Sequence, residues 1–231
     1  MRVSVIIPAL NEELTIGRVI EAIPKDQVHE ILVADNGSSD RTAEVARQAG
    51  ARVVSAPRRG YGSACLAGIA AMDNPEVVVF LDGDFSDDPT DLPRLLAPIE
   101  RGEAELVIGS RVLGNPEPGA LQPQQRFGNA LATRLIHLLF GARFTDLGPF
   151  RAITRQALER LEMGDPNYGW TVEMQVKAAR FGVRFMEVPV HYRKRGGGKS
   201  KVSGTLWGSL SAGRKILLTI FRYSFKNRKL R

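Results

Sequence analysis

The stretch VVVFLDGDFSDDP (77–89) decides the fold. Five apolar residues run straight into four carboxylates, Asp82, Asp84, Asp87 and Asp88. A short continuous apolar run reads as a strand buried on both faces. Like charges this close repel one another and need a partner. They either face water at a helix start or hold a cation that the chain does not itself supply. Asp87 and Asp88 precede Pro89, the pattern of a helix N-terminus, where negative charge is favoured. Asp82 and Asp84, at i and i+2 just past the strand, suit one hard divalent cation. Mg²⁺ takes one or two carboxylates together with phosphate oxygens, so the pair points to a metal–diphosphate.

On either side of this stretch the pattern alternates. RVSVII (2–7), EILVAD (30–35), ARVVSA (51–56), VVVFLD (77–82) and ELVIGSR (105–111) read as strands. Helical spacing occupies about 12–23, with Asn11 as its N-cap, then the segment to Gly50, about 63–72, and 87–102. This order predicts an α/β domain with a mostly parallel sheet, whose ligands sit at the carboxyl ends of the strands. Pro8 to Glu12, Asp35-Asn36-Gly37, Asp82-Gly83-Asp84 and Ser110-Arg111 should therefore gather along one edge, acids on one side and arginine on the other. Beyond Gly114 come a loop (115–125), a helix (126–140), a turn and short strand (145–153), helices near 154–162 and 169–182, and a strand (184–193). A glycine-rich basic loop, RKRGGGKSK (193–201), precedes a last amphipathic helix over about 203–225.

The 231 residues suffice for one large domain, and 43% hydrophobic with 25% charged residues is ordinary for a globular protein. The single cysteine, Cys65, excludes an intrachain disulfide and favours a reducing compartment. The N-terminal apolar run is too short for a signal peptide or a span. The net charge of +7 is uneven: residues 193–231 carry twelve Lys or Arg and no acid, which leaves −5 for the rest. Such an end calls for an anionic partner: nucleic acid, anionic lipid or a phosphorylated substrate. Arg214 and Lys215 interrupt the last helix, which suits a helix lying in a membrane interface or packed on the domain rather than one crossing it. The dinucleotide G-x-G-x-x-G and the G-x-x-x-x-G-K-[ST] phosphate loop are both missing. RNA binding would need basic residues interleaved with exposed aromatics, whereas the aromatics of the tail follow helical spacing.

IIPALNEELTIGRVI, ILVADNGSSDRTAEVA, VVVFLDGDFSDDP, VIGSR, TDLGPFRAI and RKRGGGKSK, in this order, resemble the inverting glycosyltransferases of family 2, with the GT-A fold. Within them the chain is most similar to the dolichyl- and polyprenyl-phosphate sugar synthases of the dolichol phosphate mannose synthase type. The resemblance covers roughly residues 2–201. It implies a GT-A domain over 1–201, followed by a basic, membrane-facing helix over 202–231. It also implies a nucleotide-sugar donor, GDP-mannose or UDP-glucose, with Mg²⁺ or Mn²⁺. By this analogy Pro8, Leu10, Glu12, Val33 and Asp35 contact the nucleoside, and Asp82, Gly83 and Asp84 surround metal and diphosphate. Arg111 approaches the phosphates, and Arg195 and Lys201 clamp them. Ser86 stands where mannose synthases often carry Gln, and Leu10 replaces a frequent Tyr, so the donor's base and sugar stay open.

The chemistry itself narrows the catalytic set. An acceptor hydroxyl needs a general base, whereas a phosphate monoester, with its second pKa near 6, is already a dianion at neutral pH. None of His29, His137 and His191 lies in a base motif. Arg111 and Arg126 suit an acceptor phosphate, because arginine binds oxyanions bidentately; Asp146 positions sugar or acceptor, or caps its turn. The expected activity is metal-dependent transfer of a hexose to a polyprenyl phosphate by a cytoplasmic enzyme peripheral to the membrane. The alternatives are a family 2 transferase with a soluble or protein-bound acceptor, and a non-catalytic sugar-nucleotide or RNA-binding module.

Overall fold

The computed structural model describes residues 1–114, 116–197 and 206–225. Seven strands, β1 (Val3–Ala9), β2 (Glu30–Asp35), β3 (Arg52–Ser55), β4 (Val77–Phe80), β5 (Leu106–Ser110), β6 (Arg151–Thr154) and β7 (Phe185–Pro189), form one sheet in the order β3-β2-β1-β4-β6-β5-β7. The helices are α1 (Ile16–Ala22), α2 (Thr42–Gln48), α3 (Tyr61–Ala71), α4 (Leu92–Glu100), α5 (Pro123–Phe140), α6 (Arg155–Leu161), α7 (Trp170–Arg180) and α8 (Leu206–Phe225).

Strand periodicity sorts the core into two layers. Val3, Val5 and Ile7 of β1, with Val77 and Val79 of β4, face α1 and α4 through Ile16, Ile20, Leu92 and Leu95. Ile6, Val78 and Phe80 face the other way, toward Ile136 of α5, Trp170 and Met174 of α7 and Ile220 of α8. Trp170 meets Phe80 edge-on, with ring centroids 5.8 Å apart. Because both faces are covered, the central strands carry no polar alternation, as VVVF shows.

The strands β1, β2, β3, β4, β5 and β7 run the same way, and only β6 is reversed. The parallel strands thus end at one edge, where 10–12, 36–38, 82–88, 111–113 and 190–197 emerge. The reversed β6 starts at that edge, so the turn before it, TDLGPF (145–150), is delivered there as well. Strand patterns predict existence but not direction, and this reversal was not legible in the sequence.

The helices also differ from the sequence expectation in detail. Asn11 is not the cap of α1. It adopts φ +52°, its side chain accepts from Ser39 N at 2.8 Å, and the helix starts only at Ile16. The fourth predicted helix divides into a 3₁₀ turn (Pro89–Asp91) and α4. The helix expected from 126 begins at Pro123, where the Gln122 and Gln125 side chains form a capping box. Ile220 of α8 is buried in the same core as α5 and α7. The expected boundary at 201/202 lies outside the described residues. Among those residues no helix is long and apolar enough to cross a membrane.

Candidate functional site

The turn after β4 is built around Asp84. Its Oδ1 accepts from Ser86 N at 2.9 Å and Ser86 Oγ at 2.5 Å. These bonds hold the intervening Phe85 at φ +61°, a left-handed conformation that costs a non-glycine residue about 1–3 kcal/mol unless its surroundings over-determine it. Here they do: the Arg18 and Arg193 guanidiniums lie 4.3 and 5.1 Å from the Phe85 ring centre. Asp84 Oδ2 accepts from Arg195 Nη1 at 2.8 Å, and Arg195 Nη2 also donates to Glu12. Gly196 N donates to the Asp84 carbonyl at 3.0 Å and Arg193 N to the Ser86 carbonyl at 2.7 Å. The basic loop thus lies across the D-x-D turn. Lys201 lies outside the described residues.

Asp82 is partly buried beside this turn, and its Oδ1 accepts from Tyr61 Oη at 2.9 Å. Burial, and then the Asp84 charge, push its carboxyl up to about 7. A carboxylate held in that state is short of positive charge. The donor set, two carboxylates two residues apart with Glu12 nearby, fits a hard divalent cation. The guanidinium already drawn onto Asp84 and Glu12 shows the demand. Among the described residues no three His, Cys, Asp or Glu side chains form a complete metal cluster. The remaining coordination positions would then fall to phosphate and water, as Mg²⁺ prefers.

The four acids of the opening stretch do not divide two and two. Asp88 starts the 3₁₀ turn: its carboxylate accepts from Thr90 N at 3.2 Å, and it also pairs with Arg193. Asp87 does not cap the turn. It is 1% exposed, and among the described residues neither carboxylate oxygen has a hydrogen-bond partner. Burial, and then the Asp82 charge, raise its carboxyl well above the usual range. The sequence cue, acid before proline, was correct for one acid and wrong for its neighbour, because only the tertiary packing decides which one turns inward.

Across the cleft, Arg111 and Asp146 form a two-pronged pair. Arg111 Nε and Nη2 each donate to Asp146 at 2.7 Å, and Arg111 N adds a third bond at 2.8 Å. Asp146 is 1% exposed. Burial by itself would lower the Arg111 pKa; the Asp146 carboxylate outweighs it and holds the guanidinium above its usual value. Glu187 accepts from Asp146 N at 3.1 Å and Thr145 N at 2.8 Å, and Gln175 Nε2 donates to the Asp146 carbonyl at 2.8 Å. Below the turn, Arg151, with no exposed surface, donates to the Leu147, Gly148 and Thr171 carbonyls. Its burial lowers it to about 10. Asn129 of α5 ties into the same turn, donating to the Thr145 carbonyl at 2.9 Å and accepting from Leu147 N at 2.8 Å.

Of the residues named from the sequence, Glu12, Asp82, Asp84, Arg111, Asp146 and Arg195 come to the one edge. Pro8 and Leu10 lie at the end of β1. Asp35 ends β2, where its Oδ1 accepts from Ser38 N at 3.1 Å, and Gly83 lies between the two acids. Val33 is fully buried in the core layer against α1. Arg126 stands exposed on the first turn of α5. Tyr61, Gln175, Glu187 and Asn129 were not anticipated. Only Tyr61 had a local signal, its flanking glycines; the others act over 16 to 42 residues of separation.

Residues 4–162 match the family described as Glycosyl transferase family 2. The chain belongs to that family. An uncharacterised glycosyltransferase of Mycobacterium tuberculosis is 42% identical over 211 residues, covering 91% of this chain and 94% of that protein. The undecaprenyl-phosphate mannosyltransferase of Micrococcus luteus is 32% identical over 224 residues, 90% of each chain. Among solved structures, glucosyl-3-phosphoglycerate synthase from Mycobacterium tuberculosis, in complex with Mn²⁺, UDP and glucosyl-3-phosphoglycerate, superposes with a TM-score of 0.78. It is 27% identical and covers 99% of this chain and 81% of its own. The mixed sheet flanked by helices is the GT-A architecture of this glycosyltransferase family.

Proposed function

We propose that this family 2 glycosyltransferase moves a hexose from a nucleotide-diphosphate sugar to a polyprenyl phosphate, with inversion, at the cytoplasmic face of a membrane. The observation that carries the acceptor is a fixed cation beside exposed apolar side chains. Arg111, locked by Asp146, is followed directly by Val112 and Leu113, 53% and 51% exposed. Helix α5, bonded into the Asp146 turn through Asn129, exposes Phe127 (72%), Leu131 (38%) and Leu138 (71%) at helical spacing. An anionic headgroup on a hydrocarbon chain matches both features. The exposed Leu218 and Phe221 of α8, with Arg214 and Arg222 on the same helix, add an interfacial anchor.

In this reading Pro8, Leu10, Glu12 and Asp35 receive the nucleoside, and Arg195 exchanges its carboxylate partners for donor phosphates. Asp82 and Asp84 would hold Mg²⁺ or Mn²⁺, which supplies charge neutralisation for the departing diphosphate. A phosphate oxygen of the acceptor attacks the anomeric carbon while the bond from that carbon to the diphosphate oxygen breaks, and the nucleoside diphosphate leaves with the electron pair. The dianion needs no base. Arg111, held by Asp146, would place it, and Arg126 at the start of α5 would add positive charge.

A second reading has a specific support. The likeness to glucosyl-3-phosphoglycerate synthase spans 99% of this chain, and Arg111 would equally hold the phosphate of a small soluble acceptor. The test is transfer from labelled GDP- and UDP-hexoses, with Mg²⁺, Mn²⁺ or EDTA, offered polyprenyl phosphate in detergent and 3-phosphoglycerate in parallel. Metal-dependent label in the organic phase is expected. Label only in a water-soluble phosphorylated product would give the reaction to the second reading, and no label with either acceptor would overturn both.

A further inference from the structure

The triplet Gly60-Tyr61-Gly62 takes no part in the donor and acceptor contacts assigned above, yet it is built to aim one side chain. Gly60 has φ +131°, and a Cβ there would lie 2.2 Å from the Pro166 carbonyl oxygen; one on Gly62 would lie 1.9 Å from that of Asp165. Both flanks of Tyr61 are therefore pressed flat on the 165–167 segment, where only glycine fits. Ser63 N donates to the Pro166 carbonyl at 2.9 Å, and Gly60 N donates to Asn36 Oδ1 at 2.8 Å. The segment is fastened in its turn. Asp165 N donates to Glu173 of α7 at 2.7 Å, and Lys215 of α8 pairs with Asp165 at 2.9 Å. Between these clamps the Tyr61 hydroxyl donates to Asp82 Oδ1 at 2.9 Å.

We propose that Tyr61 is a positioning residue whose hydroxyl fixes the Asp82 carboxylate in the orientation that meets the donor's divalent cation. The proposal rests on the donor-site reading above. Asp82 and Asp84 repel each other, and without a tether the Asp82 carboxylate would swing away from its neighbour. A neutral donor on one oxygen prevents that without competing for the cation's charge. A tyrosine hydroxyl ordinarily titrates at about pH 10, so at neutral pH it carries the proton that it donates. Hydrogen bonds to a ligand's far side are worth roughly 10–100-fold in metal affinity.

The test is Mn²⁺ binding to the full chain, followed by electron paramagnetic resonance with saturating UDP or GDP and no acceptor. Tyr61→Phe keeps the ring and is expected to bind Mn²⁺ roughly 10–100-fold more weakly, with nucleotide binding in EDTA unchanged. A packing role alone would lower the melting temperature and leave Mn²⁺ affinity where it was, and that result overturns the proposal. If the wild-type chain binds no Mn²⁺ with either nucleotide, the donor reading falls and this one with it; if it binds and Tyr61→Phe binds equally well, only the role of Tyr61 falls. Should Tyr61→Phe not fold, ring-fluorinated tyrosine in a Tyr192→Phe chain gives the answer by ¹⁹F NMR. Adding Mg²⁺ to the nucleotide complex must then shift a tyrosine resonance, and no shift overturns the proposal.

Discussion

The two sides of the cleft are charged in opposite logic. On the donor side, among the described residues, Arg195 arrives from a loop 111 residues beyond Asp84 to bridge Asp84 and Glu12, while Asp82 meets the neutral Tyr61 hydroxyl. Asp82, pushed up to about 7 by burial and then by the Asp84 charge, marks the place where positive charge is wanted. On the acceptor side Arg111 is matched by Asp146, and Asp146 is held by Glu187 and Gln175 through its backbone. Its charges are balanced before any ligand arrives. An electrostatic deficit awaits a ligand that brings cations, whereas a balanced pair serves as a rigid post. Preorganisation of this second kind avoids reorganisation during the reaction.

The largest effect is expected where the deficit is removed. Asp84→Asn keeps an oxygen for Ser86 but loses the charge, and transfer should fall by roughly 10²–10³-fold, the scale of losing one charge-stabilising group. Steady-state assays across Mn²⁺ concentrations, with circular dichroism to verify the fold, measure it. Undiminished turnover would remove Asp84 from the site. The same substitution on the other side tests the contrast through stability. Asp146→Asn leaves the largely enclosed Arg111 without its counter-charge, which should cost about 3–5 kcal/mol, read from urea unfolding. Asp84→Asn should cost far less, since Arg195 keeps Glu12. Equal losses for the two variants would erase the distinction between post and deficit.

The smallest effect is a pH dependence. The Asp82 carboxyl is raised from 3.8 to about 7 in the folded chain, first by burial and then by Asp84. The folded state therefore binds this proton more tightly than the unfolded state does. The contribution is complete below about pH 4 and is lost as pH rises through 7. Without metal, Asp82→Asn should melt at the wild-type temperature near pH 4 and above it at pH 8. With Mn²⁺ and nucleotide present the advantage at pH 8 should disappear. A constant difference across pH would mean that Asp82 carries no such strain.

Much of the fold was readable because the central strands are buried on both faces. VVVF and EILVAD are too short for helices, and Gly50 and Pro89 punctuate the chain at a helix end and a helix start. The edge that gathers the site followed from strand–helix alternation, so Glu12, Asp82, Asp84 and Arg111 were named together, whereas Arg195 was named through the resemblance of its basic loop. Asn11 misled because an N-cap and a left-handed turn favour the same residue type. Asp87 misled because its neighbour does the capping. Glu187, Gln175 and Asn129 left no trace, since a hydrogen bond between distant residues has no period.

The sequence by itself determined which segments are strands and helices, and that carboxylates and cations end on one edge. Those are consequences of local propensity and of burial, which every residue expresses in its own neighbourhood. Only the tertiary structure decided that β6 runs backwards, that its entering turn brings Asp146 onto Arg111, and that a tyrosine between two glycines reaches Asp82. Strand direction and side-chain aim depend on what packs against them, and that information is spread over residues far apart in the chain.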